Sequence, residues 1–126
     1  RECLTAERAR LLAGDAVELI RDSEDLYDLV VCADALPYIG DLVPLFTAVA
    51  VHTAGAGHFL CSTELADTGS YTLQPTARFA HSSAYVIECA SVAGFDILAQ
   101  EPIPLRKERG IWKTGGIYCF SRRRDL

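Results

Sequence analysis

Short apolar runs alternate along this chain with segments of helical period, and the alternation predicts an α/β fold with helices laid on the faces of a mostly parallel sheet. Leu29-Val30-Val31-Cys32-Ala33 is a continuous apolar run following Tyr27-Asp28, as a central parallel strand covered on both faces requires. Leu42, Leu45, Phe46 and Val49 then recur at i, i+3, i+4 and i+7, the spacing of one helix face. Gly40-Asp41 supplies a turn and a capping carboxylate before that helix, and Pro44 falls in its first turn, where a missing N–H costs little. Gly55 and Gly57 mark a turn on its far side, and Phe59-Leu60-Cys61-Ser62 reads as the next strand.

Ser82 or Ser83 is placed to cap a helix that carries Tyr85, Cys89 and Val92 on one face, and Gly94 can close it. Phe95, Ile97 and Ala99 alternate with Asp96, Leu98 and Gln100 in a strand that Pro102 and Pro104 should terminate. Residues 116–122 form the last strand, reached by a hairpin through residues 107–115, where charge, a tryptophan and turn residues mix without helical period. At the N-terminal end the pattern is weaker: residues 9–13 read as a short strand ending at Gly14-Asp15, and residues 16–22 as a brief helix.

Composition narrows the function classes. The 126 residues suit one domain, expected over 1–126. Half are hydrophobic and 23% are charged, as in ordinary folded chains. A net charge of −5 provides no basic field for phosphate backbones or anionic lipid, so neither nucleic acid nor a membrane is expected as a partner. The basic cluster Arg122 to Arg124 reads as a solvated terminus. The longest stretch poor in charge, residues 42–51, is about half of what crosses a bilayer. Five cysteines, an odd number without C-x-x-C spacing, and no paired histidines argue against disulfides and against a metal site. Cys32, Cys61 and Cys119 lie in apolar runs as free thiols, which fits the cytoplasm. The start at Arg1-Glu2-Cys3, in a chain without methionine, reads as a truncation.

Four segments carry a resemblance to a known family: Leu11-Leu12-Ala13-Gly14-Asp15-Ala16; residues 27–38, ending Ala33-Asp34-Ala35-Leu36-Pro37-Tyr38; Gly57-His58-Phe59-Leu60-Cys61-Ser62-Thr63-Glu64; and residues 71–82, including Tyr71, Arg78 and His81. Together they resemble the C-terminal portion of the class I S-adenosylmethionine-dependent methyltransferases, whose Rossmann-like sheet ends in an antiparallel hairpin. The last segment, with Leu105-Arg106-Lys107-Glu108-Arg109-Gly110, is similar to a bacterial subgroup often joined to tetratricopeptide repeats. The resemblance implies S-adenosylmethionine as cofactor, with Asp15 and Ala16 near its adenine and Ala33, Asp34 and Ala35 along its methionine part. A carboxylate suits the first role because it accepts from the exocyclic amine, and the end of an apolar strand is where open α/β sheets place ligands. It further implies a small-molecule or protein methyl acceptor contacted by Tyr38, Tyr71, Arg78, His81 and Tyr85.

The family's glycine-rich turn and ribose-binding acid have no counterpart here: Gly55-Ala56-Gly57 precedes a strand instead of opening a helix. Read without the family, Asp34 and Asp15 serve equally as caps or loop carboxylates, and Tyr71, Phe79, Tyr85 and Trp112 as packing residues. Ser62 with His81 lacks the strained elbow of a hydrolase, so no catalytic residue is assigned. Methyl transfer from a sulfonium depends on alignment and water exclusion more than on acid and base, so this absence decides nothing. A catalytically silent remnant or interaction module therefore stands as the rival reading. The strand at Leu29 is left with an exposed apolar edge, to be covered by the strand near Leu11, by a second copy of the chain, or by residues outside this sequence.

Overall fold

The structure, a computed structural model, describes residues 11–124. The strand expected at residues 9–13 lies partly outside them, and its described part, residues 11–13, is not in a strand. From there the elements run α1 (Ala16–Arg21), β1 (Tyr27–Cys32), a 3-10 turn at Leu36–Tyr38, α2 (Val43–Val51), β2 (Thr53–Leu65), β3 (Tyr71–Leu73), β4 (Phe79–His81), α3 (Ser83–Ala93), β5 (Phe95–Glu108) and β6 (Ile111–Arg122).

Local chemistry explains the boundaries. Asp15 caps α1 by accepting from Glu18 N at 3.0 Å, and Ser82 caps α3 by accepting from Tyr85 N at 3.2 Å. Gly94 ends α3 at φ 112, a left-handed conformation that a side chain resists, and a Cβ there would meet Arg122 at 2.7 Å. Asp41 stands one residue before the α2 cap, where its carboxylate accepts from Val43 N at 3.0 Å.

The sheet differs from expectation. Among the described residues it has six strands, and of their pairings only β1 with β2 and β2 with β4 are parallel; β2 with β6, β6 with β5, and β4 with β3 are antiparallel. The sheet is thus mixed and mostly antiparallel, correcting the mostly parallel sheet expected from the alternation. The cause is the final strand: β6 lies between β2 and β5, so two strands that point the same way meet only through one that opposes both. Apolar runs report that a strand is buried and carry no sign of its direction.

Three smaller corrections follow from the same geometry. Pro102 and Pro104 do not terminate β5, which continues to Glu108 and, among the described residues, pairs with β6 alone. An edge strand can hold proline because alternate N–H groups face away from the ladder. Both strands of this hairpin therefore run to a two-residue turn at Arg109-Gly110, with φ of 52° and 79°, as a tight turn between twisted strands requires. Gly55-Ala56-Gly57 falls inside β2, where the register against β1 jumps from Tyr27↔Thr53 to Leu29↔His58. In α3 the buried face is Val86, Cys89 and Ala90, and Val92 stays 82% exposed.

The core lies between the helices and one face of the sheet. Leu45, Phe46 and Val49 of α2 and Val86 and Ala90 of α3 close over Phe59, Phe95, Tyr118 and Phe120. The Phe46 and Phe59 rings meet edge to face with centroids 5.3 Å apart, a favoured aromatic geometry. The other face is barer: Leu29, Val31 and Ile117 are all exposed, and β1 pairs only with β2 among the described residues. The continuous run at β1 is thus covered on one face alone. At the end of the sheet, Arg122 donates to Ala50 O and Gly94 O, and Arg123 to Ser91 O, Phe95 O and Asp96. These two arginines clasp the C-terminal turn of α3, against the expectation of a loose basic terminus.

Candidate functional site

β1 and β2 run parallel, so their carboxyl ends open on the same side, the position where open α/β sheets receive ligands. A cleft of about 360 Å³ lies there, lined by Asp34, Tyr38, Ser62, Thr63, Arg78 and Arg106, with Glu64 at its base. Asp34 follows the end of β1 at φ 57, a conformation that aspartate tolerates better than most residues. The small Ala33 and Ala35 flank it. Its N–H points at Ser62 Oγ over 3.5 Å.

Glu64 is the centre of the site. Only 2% exposed, it accepts from Gln74 Nε2 at 2.8 Å on one oxygen and from Arg106 Nη2 at 2.8 Å on the other, with Arg78 Nε at 4.0 Å. Burial alone would raise its carboxyl; the two hydrogen bonds and the charges of Arg106 and Arg78 outweigh burial and hold it below the ordinary carboxylate range. Arg106 also donates to Glu108 at 3.0 Å, and Lys113 donates to the Gln74 amide oxygen at 2.7 Å. Thr63, also 2% exposed, lies along the cleft, and its buried hydroxyl has no hydrogen-bond partner among the described residues.

Of the residues anticipated for an acceptor, Tyr38 and Arg78 reach this cleft. Tyr71, His81 and Tyr85 form an aromatic stack elsewhere: His81 and Tyr85 lie nearly parallel with centroids 6.2 Å apart, and Tyr71 packs 5.5 Å from Tyr85. Their polar atoms serve the fold. His81 Nε2 donates to Ile39 O and Gly40 O at 2.8 and 3.1 Å, leaving Nδ1 buried without a partner among the described residues. Tyr85 Oη accepts from Leu42 N at 3.0 Å and donates to Asp41 at 3.3 Å, tying α3 to the start of α2. His81 is therefore not presented to Ser62 as a base. Asp15 and Ala16 begin α1 and do not line the cleft.

Glu64, Arg106 and Gln74 carry the polar network; all three lie in segments that carry the resemblance, and none has a site role assigned from the sequence. A glutamate ending an apolar strand was the available signal; its arginine partner, 42 residues away, depends on β5 continuing past its prolines. Among the described residues no cluster of three or more histidine, cysteine or acidic side chains is arranged to hold a metal, and no helix is long and apolar enough to cross a membrane.

No family model matches the sequence, and no curated protein matches it. Solved structures do match the fold. The 1,6-didemethyltoxoflavin-N1-methyltransferase of Burkholderia thailandensis, solved with its namesake ligand and S-adenosylhomocysteine, superposes with a TM-score of 0.74 at 17% identity over 94% of this chain and 53% of that one. An S-adenosylmethionine-dependent methyltransferase from Methanosarcina mazei gives 0.67 at 10% identity, over 84% of this chain and 65% of that one. The N-methyltransferase NodS of Bradyrhizobium japonicum, bound to S-adenosylhomocysteine, gives 0.64 at 15%, over 88% and 53%. The chain spans between about half and two thirds of the length of these structures, and its fold is that of the S-adenosylmethionine-dependent methyltransferases.

Proposed function

We propose that this chain is the acceptor-side portion of an S-adenosylmethionine-dependent methyltransferase, related to the tetratricopeptide-associated subgroup and working in the cytoplasm. The observation that carries the reading is the agreement of fold with solved methyltransferases over most of the chain, with a polar cleft at the carboxyl ends of its parallel strands. The four free thiols described here, Cys32, Cys61, Cys89 and Cys119, fit a reducing compartment.

The residues at the end of β1 fit one wall of the cofactor. Ala33 and Ala35 leave the backbone open to close approach, and Asp34 turns at the mouth of the cleft. These three would hold the methionine part. Asp15 fits the adenine less directly, since one carboxylate oxygen is committed to Glu18 N. When bound, the cofactor supplies an electrophilic methyl group on a sulfonium, whose departure needs no acid. The chain's own contribution is placement: Tyr38 and Pro37 wall the cleft, and the Glu64–Arg106 pair keeps its base rigid.

The rival, a silent interaction module, draws on the unpaired edge of β1 with Leu29 and Val31 exposed; there a second copy of the chain could add its own β1. Titration with S-adenosylhomocysteine, followed by amide shifts, separates the readings. Saturable shifts at Ala33–Ala35, weaker than micromolar and reduced by Asp34→Ala, are expected. Absence of any shift there up to about millimolar ligand, a concentration marking roughly −4 kcal/mol of binding, would leave the module.

A further inference from the structure

Three of the residues anticipated for the acceptor, Tyr71, His81 and Tyr85, close on one stretch of backbone, the link between the cleft wall and α2. That wall is the 3-10 turn Leu36–Tyr38, closed by Tyr38 N donating to Ala35 O at 3.1 Å and Ile39 N to Leu36 O at 2.9 Å. Leu36 is wholly buried and anchors the front of the turn, while Tyr38 is largely exposed along the cleft. His81 fixes the other end. Its side chain is wholly buried, and Nε2 donates to both Ile39 O and Gly40 O. Because both partners are carbonyls, the proton sits on Nε2, and the neutral ring leaves Nδ1 without a donor among the described residues. The rings around it leave no slack. A Cβ at Gly40 would come within 2.9 Å of both Tyr71 and Phe79. Tyr85 stacks on the imidazole while its hydroxyl holds Leu42 N and Asp41.

We infer that His81 is a positioning residue for the cleft: its neutral imidazole, through the carbonyls of Ile39 and Gly40, holds the turn that sets Pro37 and Tyr38 along the cleft, and protonation releases that wall. A proton added at Nδ1 finds no acceptor and brings a charge into a buried site, so the charged ring is tolerated only once the clamp opens to water. Among the described residues, the groups packed on the imidazole offer no free counter-charge. Tyr71 from β3 and Tyr85 from α3 present their rings. Burial pushes Tyr85 and the adjoining Cys89 thiol up, so both stay uncharged. Asp41, beyond Tyr85, is taken up by Val43 N and the Tyr85 hydroxyl, and Glu64, on the neighbouring β2, by Gln74 and Arg106. As a role in methyl transfer, this inference rests on the methyltransferase reading; as a statement about the cleft wall, it stands apart from it.

Hydrogen exchange on the 126-residue chain tests this, read at the Tyr38 and Ile39 amides that close the turn, with the Tyr118 and Phe120 amides of β6 as the reference for global unfolding. The turn amides should exchange well ahead of the reference pair. Once corrected for intrinsic rates, their opening should increase as pH falls below about 6.5, by up to about tenfold per pH unit, because the open state binds one proton that the closed state lacks. His81→Phe keeps a ring against Tyr85 and removes the donor; it should speed exchange at the two turn amides about tenfold beyond any change in the reference pair, the scale of one hydrogen bond, and abolish their pH slope. His81→Gln restores a donor that does not titrate, and should bring the turn amides back to within about threefold of wild type with a flat profile. Should His81→Phe fail to fold, wild type against His81→Gln across pH decides alone. Gly40→Ala, which wedges into Tyr71 and Phe79, should open the same two amides with His81 in place. Turn amides without a pH slope in the wild type, no faster than the reference pair, or still protected in His81→Phe would overturn the inference. Parallel titration with S-adenosylhomocysteine keeps the two ideas separable. A sloped turn profile without shifts at Ala33–Ala35 sinks the methyltransferase reading and leaves the clamp. Shifts at Ala33–Ala35 with a flat turn profile remove the clamp alone.

Discussion

Under its helices the sheet presents Phe59, Phe95, Tyr118 and Phe120, while at the carboxyl ends of the same strands it presents Asp34, Thr63, Glu64 and the arginines that reach them. Both regions contain side chains almost wholly withdrawn from water; Phe59 is 0% and Glu64 2% exposed. They differ in what secures them. The aromatic region is held by contact with every neighbour at once, so no single direction matters. The polar region depends on a few directed bonds, from Gln74 and Arg106 to the Glu64 carboxylate, with the Arg78 charge 4.0 Å away. Losing one partner from a packed cluster leaves the other contacts in place, whereas losing one from such a network leaves a buried charge unanswered.

Substitutions can probe that division. The largest expected effect is from Phe59→Ala, which removes a ring packed against Phe46, Phe95 and Phe120; a loss of about 3–5 kcal/mol in urea unfolding is expected. A loss below about 1 kcal/mol would mean that this core is loosely packed. Glu64→Gln should cost less, about 1–2 kcal/mol, because Arg106 is 32% exposed and keeps water and Glu108 as partners. It should also loosen Arg78 and Arg106, seen as faster exchange of their guanidinium protons, which Phe59→Ala at matched stability should not do. Ser82→Ala removes the cap of α3 and a bond to Gly69 O at 2.7 Å, with about 1 kcal/mol expected.

The gentlest probe is pH. Burial holds the His81 imidazole below its ordinary value of 6.5, offset only in part by the bonds to Ile39 O and Gly40 O. The unfolded chain therefore takes up this proton first, and stability present above about pH 6.5 declines as pH falls toward the folded value. Glu64, held below 4.5, acts with the same sign at lower pH: its contribution is present above 4.5 and is lost as pH falls through its folded value. The urea midpoint should drop in two stages on acidification, and His81→Gln should flatten the upper stage alone. A midpoint that rises on acidification would contradict both assignments.

Helix ends and strand centres were legible in the sequence because their causes are local. Asp15, Ser82 and Gly94 act within a few residues of themselves, and Leu45, Phe46 and Val49 show their face by spacing. What stayed illegible depends on distant partners. Nothing near Pro102 indicates that it lies on a sheet edge opposite Gly116, and nothing near Val92 indicates that the core takes up Val86, Cys89 and Ala90 of α3 instead. The short β3–β4 hairpin was missed because its strands are only three residues each. The site divides in the same way. Asp34 could be read from its place after an apolar run, while Glu64 with Arg106 could not, since the ion pair exists only once β5, β6 and β2 are side by side.

The insertion of β6 between β2 and β5 also bears on how the chain emerges from a ribosome. Synthesis delivers β2 well before the strand that joins it to β5, and β5 just ahead of that strand, so a nascent polypeptide stalled ahead of Ile111 holds two unconnected fragments of sheet. Folding becomes cooperative only as the stretch up to Arg122 clears the exit tunnel. Until then the exposed flanks of β2 and β5 are surfaces for a chaperone to guard.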